Sequence, residues 1–467
     1  MSKWKLGLPL LVCAIPLLLY AATLSDNFNF DGTVFALLLR QSLAVGSPFS
    51  HLHFQHLLYG PATFLFARLL PMDPLRALQL FGWGVTGLSL FLFASVLSKR
   101  SLSLSLRTGA TLILGLSFTF WSAGTDAEVH CLSLLFLCLA LYLYQSGRER
   151  WAALALGLTP LAHVLNLALV AGAAGELLYR KGKRAWHLLF PLTLPWALPY
   201  GVLTLPSLWR GERPLLLRRT DTSFFHTPGL STPWQDLLSL GRLFIEGPCA
   251  IPFTLLLLLS LLFLFRRRGE GSILLALWLS LSLLFHLFWE PGNPELKSPL
   301  VVPLTLGLLS LLSSKKALRP LFLLLPLLLF SLQLPQFWQN HDPANNRDLQ
   351  RALAIERLTE PESLLLIGGS PKGYQRGKAY VPYFSRRVLL LPETFPGDLT
   401  TEEGRLSLRR TLDGIAKSRP LYLLDDLFLG GPLRREEFSS SLEELSDKEC
   451  LAALAPFRLY RYREKAP

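Results

Sequence analysis

The chain has 467 residues, of which 51% are hydrophobic and only 17% charged, with a mean hydropathy of +0.37. Several Leu-rich runs approach the roughly 20 residues that cross a bilayer, which excludes an ordinary water-soluble enzyme. The net charge of +13 would suggest nucleic acid in a soluble protein, but here basic residues separate apolar runs and act as topology signals.

The first apolar run, Leu6 to Leu24, follows Lys3 and Lys5. It is long for a signal-peptide core and no small-residue cleavage site follows, so it reads as a retained span. Further spans are predicted at roughly 78–98, 107–121, 129–146, 152–162, 164–178, 186–208, 250–265, 271–289, 299–313 and 319–336, about eleven crossings in all. This threading puts Lys99-Arg100, Arg148 with Arg150, Arg180 through Arg184, Arg266 through Arg268, and Lys315-Lys316 with Arg319 on one side, the cytoplasmic one. Stretch 152–178 is too short for two full spans and is interrupted by Thr159, Pro160 and His163. It reads as a broken pair dipping into the membrane, tolerated where the backbone lines a protein cavity. A single crossing there would invert everything after it.

The polar residues then fall on the outer side. The 25–77 segment brings Asp26, Asp31, His51, His53 and His56, and the tip 121–128 brings Asp126 and Glu128, with His130 just beyond. The bend near 159–166 adds His163 and Asn166, and the 209–249 loop adds Arg210, Arg213, Arg218 and Arg219. Loop 290–298 adds Glu290, Asn293, Glu295 and Lys297. Ionisable groups where apolar membrane meets water usually serve a function. A transporter would more often concentrate them at the midplane within internal repeats, and no convincing repeat is present.

The tail from 337 to 467 changes character. Short β-rich runs at Ser363–Ile367, Val388–Leu391, Pro420–Leu424 and Phe457–Tyr462 alternate with helical patterns at about 402–417 and 434–446. The expected organisation is a polytopic α-helical membrane domain over 1–336 and a small extracytoplasmic α/β domain over 337–467. Gly368-Gly369-Ser370 after the first strand reads as a phosphate cradle or, better, a plain turn. Asp425-Asp426 reads as a solvated strand end. The five cysteines show neither metal-ligand nor disulfide spacing.

Thr119-Phe120-Trp121-Ser122 followed by Ala127-Glu128-Val129 resembles the TFWS…AEVY signature of membrane glycosyltransferases of the GT-C type, closest to the DUF2723 group with its protein O-mannosyltransferase relatives. His130 stands where that group commonly has tyrosine. His56-Leu57-Leu58-Tyr59-Gly60-Pro61 and Trp289-Glu290-Pro291-Gly292-Asn293-Pro294-Glu295 resemble further segments of the same relatives. The resemblance covers roughly 6–336 and implies sugar transfer from a polyprenyl-phosphate donor to a protein, lipid or glycan acceptor. It also implies a catalytic acid in the first outer loop, Asp31 or second Asp26. Asp31 matches the family's Asp-Ser-Gly-Glu-Phe pattern, but Thr33-Val34 replaces Gly-Glu, so the second acid is missing and Asp26 or Glu128 stands in for it.

The residue types suit this chemistry on their own terms. A carboxylate can take the acceptor hydroxyl's proton, and direct displacement by one acid inverts the anomeric centre. The departing phosphate needs positive charge or donors, which Arg210, Arg213, Arg218 and Arg219, or His56 and His163, can supply. A divalent metal bridging Asp31, Glu128 and a histidine is compatible with these residues, though no spacing argues for one. Membrane lipids are partners in any case; nucleic acid is not. Blander roles compete. Asp31 can be a helix cap, and Asp126 and Glu128 can cap the fourth span. His130 can be a hydrogen-bonded helix residue, the other histidines can bridge water, the arginines can touch headgroups, and Glu290 can pair with Lys297. A transporter or lipid-carrier flippase, or a non-catalytic scaffold, remains the alternative to a transferase of a bacterial inner membrane.

Overall fold

The computed structural model describes residues 4–50, 52–210, 229, 231–267, 271–290, 292–314, 319–370, 372–429, 433–445 and 448–464. It divides into two compact units, Met1–Leu24 with Gln41–Trp338 and Ser25–Arg40 with Gln339–Pro467. Segment 25–40, counted with the membrane domain on sequence alone, groups with the tail. The reason is apolar: Phe28 and Phe30 pack on a bed of Leu349, Ala352 and Tyr380.

The helices of the first unit are α1 (Trp4–Ala22), the end of α2 (Phe30–Val45), α3 (Tyr59–Leu69), α4 (Pro74–Ser98), α5 (Leu104–Gly115), α6 (Phe118–Thr125), α7 (Cys131–Gln145) and α8 (Glu149–Ala162). They continue with α9 (Leu167–Lys181), α10 (Trp186–Trp209), α11 (Thr232–Arg242), α12 (Ala250–Arg267), α13 (Ser272–His286), α14 (Val301–Ser313) and α15 (Leu321–Asn340). Each stretch expected to span carries helix. Four runs among the described residues are long and apolar enough to cross a membrane, namely Pro74–Ser98, Val164–Pro206, Glu295–Ser313 and Phe322–Gln339. The expected span 107–121 is two helices, broken at Leu116-Ser117. Carbonyls freed by that break find donors: Leu116 accepts from Gln333 Nε2 at 2.6 Å and Gly115 from the Tyr20 hydroxyl. Such repair is what allows irregular backbone inside an apolar bundle.

Contacts between helix ends sort the unit into two faces. Lys99, past α4, lies 3.8 Å over the Tyr142 ring and bonds Ser146, at the end of α7. Lys181, ending α9, pairs with Glu149, starting α8, at 2.6 Å. Glu176 of α9 accepts the Gly271 and Leu274 N–H groups at 3.0 Å each, closing the start of α13. The basic clusters at 99–100, 148–150 and 180–184 therefore share one end with the chain entering α13. At the opposite end meet the C-terminus of α8, the N-termini of α7 and α9 and, beyond α13, the 290–298 turn.

The second unit is a five-stranded sheet in the order β2-β1-β3-β5-β4, with β1 (Leu364–Leu366), β2 (Val388–Leu390), β3 (Leu421–Leu424), β4 (Leu442–Glu444) and β5 (Leu459–Tyr462). The first three are parallel and the last two antiparallel. Alternation splits the central strands between two cores: Leu365 and Tyr422 face one, Leu364, Leu366, Leu421 and Leu423 the other. Burial on both faces explains why these strands read as continuous apolar runs. Flanking helices include α16 (Arg347–Leu358) and α17 (Glu402–Ser418), the latter as expected. The helix expected over 434–446 is a single turn, Arg435–Phe438, followed by strand β4. Ion pairs from Glu443 to Arg463 at 2.7 Å and from Glu444 to Arg458 at 3.3 Å hold Leu442–Glu444 at the sheet edge instead.

The two weak motifs of this unit explain each other. Asp426 is 1% exposed, not a solvated strand end, and its carboxylate accepts the Gly368, Gly369 and Tyr374 N–H groups at 2.8, 3.0 and 3.0 Å. A Cβ on Gly368 would lie 2.7 Å from the Asp426 carbonyl oxygen. The glycine turn is an anion nest already filled by the chain's own carboxylate, so it holds no phosphate.

Candidate active site

In the helical unit, Phe118, Thr119, Ser122, Ala123, Glu128, His130, Pro294, Glu295 and Ser298 line a small pocket. Its frame is local. Phe118 N–H donates to Phe244 O at 3.0 Å, and the Thr119 N–H and hydroxyl donate to Leu243 O at 3.0 and 2.9 Å, anchoring the start of α6. Beneath its end, Gly82 of α4 approaches so closely that a Cβ would meet Ala123 O at 2.8 Å. Gln79 Nε2 donates to Thr125 O at 3.2 Å. At Asp126 the backbone turns extended and the chain crosses without helix until α7. His130 occupies the N-cap position of α7, so neither Asp126 nor Glu128 stands at the cap. Asp126 is half-buried, and Glu128 is 7% exposed.

His130 also begins a chain of imidazoles. Its ring stacks on His163 at 4.9 Å, His163 meets His56 edge-on at 4.7 Å, and His56 stacks on His53 at 5.0 Å. His163 is there because α8 stops at Ala162. Asn166 Nδ2 holds the bend by donating to Thr159 O at 3.0 Å and Ser133 Oγ at 2.8 Å. Stretch 53–58 runs alongside, with Leu58 N–H on Leu161 O at 3.0 Å and Val164 N–H on Gln55 O at 3.1 Å. His56 Nδ1 lies 3.1 Å from the Ala162 carbonyl and must carry a proton, leaving Nε2 as acceptor in the neutral ring. His163 Nδ1 accepts the Leu165 N–H at 3.1 Å, so its neutral ring is protonated on Nε2. Burial, then His53 and His130, holds His56 well below the ordinary imidazole value. Among the described residues no group of three or more His, Cys, Asp or Glu is arranged to hold a metal ion.

The far wall rests on the 290–298 turn. Glu290 adopts φ 42° and accepts from Asn293 Nδ2 at 2.9 Å, and Asn293 Oδ1 accepts the Glu295 N–H at 2.9 Å. Lys297 does not pair with Glu290. Its ammonium meets Asp236 of α11 at 2.7 Å and Asn293 O at 3.3 Å, with the Lys297 and Asp236 side chains 0% and 2% exposed. The partner of Asp236 lies in another loop, so the sequence carries only a local signal, a lone acid in the amphipathic stretch Thr232–Arg242. Glu295, seen as an outer-loop residue only, lines the pocket. Arg210 ends α10 and is exposed. His51, Arg213, Arg218 and Arg219 lie outside the described residues.

Asp26 and Asp31 belong to the second unit, both exposed. Asp31 is not the helix cap. Asn29 is: its Oδ1 accepts the Gly32 N–H at 2.6 Å, and its carbonyl accepts the Thr33 hydroxyl and N–H at 2.8 and 3.1 Å. Asp31 thus sits in the first turn of α2, with the capping already done by Asn29.

The fold is similar to that of ArnT from Cupriavidus metallidurans, seen in crystal structures in the apo state (TM-score 0.59) and bound to undecaprenyl phosphate (TM-score 0.60). Each is 13% identical and the match covers 97% of both chains. The Archaeoglobus fulgidus oligosaccharyltransferase in the apo form matches at TM-score 0.48 and 11% identity, over 92% of this chain and 70% of that one. No family model and no curated protein matches the chain. The likeness to ArnT is one of fold.

Proposed function

We propose that this chain is a glycosyltransferase that moves a sugar from a polyprenyl-phosphate donor to an acceptor on the extracytoplasmic side of a bacterial inner membrane, with inversion. The observation that carries it is the fold shared over 97% of both chains with a protein crystallised on undecaprenyl phosphate. Within the GT-C group, the Thr119–Ser122 and Ala127–Val129 motifs favour the DUF2723 relatives. Gathering of basic clusters at one end of the bundle supports the orientation, since the basic end faces the cytoplasm.

Asp31 is the base that takes the acceptor hydroxyl's proton as the oxygen attacks the anomeric carbon, with Asp26 and Glu128 as the alternative acids. The bond to the lipid phosphate breaks with its electron pair going to phosphate oxygen. His56 and His163, with Arg210, Arg218 and Arg219, stabilise that charge. A buried neutral imidazole can accept a proton when an anion arrives beside it. Asp126 and His130 contact sugar or acceptor, and Glu290, Asn293 and Lys297 hold the wall of the pocket opposite Glu128. The test is transfer from a panel of radiolabelled polyprenyl-phosphate sugars in membranes containing wild type or Asp31→Asn. Transfer about 10²–10⁴-fold lower in the variant is expected. Folded wild type that transfers from no donor overturns the reading in favour of transport or scaffolding.

A further inference from the structure

The turn that carries Asp26 and Asp31 is gripped by the carboxy-terminal unit through its backbone. The Phe28 carbonyl accepts two side-chain donors, the Tyr380 hydroxyl at 2.6 Å and Asn346 Nδ2 at 3.0 Å. The two donors also touch each other, Asn346 Nδ2 to Tyr380 Oη at 3.2 Å. One residue earlier, Asn27 N–H donates to the His341 carbonyl at 3.1 Å. The Phe28 ring stacks on Phe384 at 5.7 Å, and Phe384 stacks on Tyr380 at 5.8 Å. Further along α2, the Arg40 guanidinium lies 3.9 Å over Tyr383 and donates to its carbonyl at 3.1 Å. Helix α2 is thus held at its entry and along its length by the same short segment, 380–384.

We infer that Tyr380 and Asn346 are positioning residues for Asp31, and that the carboxy-terminal α/β unit serves the reaction by aiming this acid. The inference rests on the reading of Asp31 as the base. An apolar bed alone would keep Phe28 and Phe30 half-buried while letting the turn rock about them. Two donors converging on one carbonyl fix the direction of the Phe28–Asn29 peptide. Asn29 is the cap of α2, so that direction sets the angle at which the helix starts and where the Asp31 carboxylate points. Tyr380 is fully buried. Asn346 gives its other amide atom to α16, where Oδ1 accepts the Asp348 and Leu349 N–H groups at 3.1 Å each. One side chain therefore ties the start of α16 to the start of α2. A displacement of about 1 Å in a reacting group can lower turnover by about 10²-fold.

Two variants separate aim from fold. Tyr380→Phe removes the hydroxyl and keeps the ring on Phe384. Asn346→Asp keeps an acceptor to cap α16 and removes the donor to Phe28. In the full-length protein, each is expected to lower kcat roughly ten- to a hundredfold with the donor KM within about twofold of wild type. Thermal midpoints should stay near wild type, and amide hydrogen exchange should quicken at Asn29–Thr33. Asp31→Asn is measured beside them. If it abolishes transfer while Tyr380→Phe and Asn346→Asp both keep wild-type kcat, the positioning role is wrong and the reading of Asp31 survives. If Asp31→Asn transfers normally, Asp31 is not the base and the positioning role falls with it. Loss of kcat accompanied by an equal loss of folded protein in both variants assigns the clamp to stability alone and also overturns the inference.

Discussion

The two ends of the helical unit handle charge in opposite ways. At the basic end, Lys181 and Glu149 pair while each stays about a third exposed (34% and 40%), and Lys99 rests on an aromatic face. At the other end a cluster of ionisable groups is buried, Glu128 at 7%, His130 at 8%, His56 and His163 at 6% and Lys297 at 1%, while Arg210 and Glu295 there stay exposed. Solvated charges hold little energy and suit the task of marking a side of the membrane. Buried ones depend on every partner, so their presence demands either a structural need or a chemical use. At the basic end the buried Glu176 is the exception, and backbone N–H groups of Gly271 and Leu274 satisfy it. The clustering of several buried ionisable groups is the physical ground for seeking chemistry at the other end.

The largest effect that would sharpen this contrast is at the Asp236–Lys297 pair. Lys297→Met leaves the Asp236 carboxylate buried and uncompensated, and should destabilise the protein by about 3–5 kcal/mol in thermal or denaturant unfolding. Replacing both partners by apolar residues of similar volume should recover most of that loss. A single-variant change under about 1 kcal/mol would mean that the pair is solvated and the two ends are alike.

Next comes turnover. Glu128→Gln keeps the shape of the pocket wall and removes its charge, and should lower transfer by about 10²-fold with the unfolding midpoint unchanged. Lys99→Ala, at the opposite end, should leave transfer as it is. Equal loss from both would break the comparison.

Protonation gives a smaller effect with a definite sign. The folded state holds His56 neutral below its ordinary value, while the unfolded chain takes up a proton near pH 6.5. The unfolded state then binds more protons, so stability is full above about pH 6.5 and falls as pH drops below it, by roughly 1 kcal/mol per unit. His56→Gln should lessen that slope by the share of one proton, read as the unfolding midpoint against pH from 5 to 7.5.

Much of this was legible in the sequence where the signal is local. Helical stretches show as apolar runs, β1, β2, β3 and β5 as short Leu-, Val- and Tyr-rich runs, and Glu128 with His130 stands out beside Thr119–Ser122. What was not legible is pairing across distance. Asp236 finds Lys297 from another loop, and Asp426 fills the turn at Gly368 from the matching end of the neighbouring parallel strand, 58 residues on. Phe28 is caught by Asn346 and Tyr380 from the tail. Neighbouring residues compete for the same local role as well: Asn29 and Asp31 are both good caps, and only backbone geometry shows that Asn29 takes the position. Strand β4 hid for a related reason, since its charged Glu443 and Glu444 read as a helix face until Arg463 and Arg458 stand opposite.

The smallest expected effect is at the basic end itself. Lys181 and Glu149 gain little from each other because water already solvates both, and holding two long side chains in one geometry offsets part of the attraction. Lys181→Ala should therefore shift stability by only about 0.2–1 kcal/mol, and less as salt rises. The orientation of the protein should respond differently, because a positive charge is read during insertion and not by its partner in the folded state. Removing Lys181 together with Lys183 and Arg184, and keeping Arg180 because it pairs with the buried Glu176, should leave the folded unit nearly as stable while weakening its topology, measured by the accessibility of single cysteines placed near residue 184 from either side of the membrane. A strong loss of stability with topology intact would show that these charges serve the bundle, and the distinction between the two ends would have to rest on burial alone.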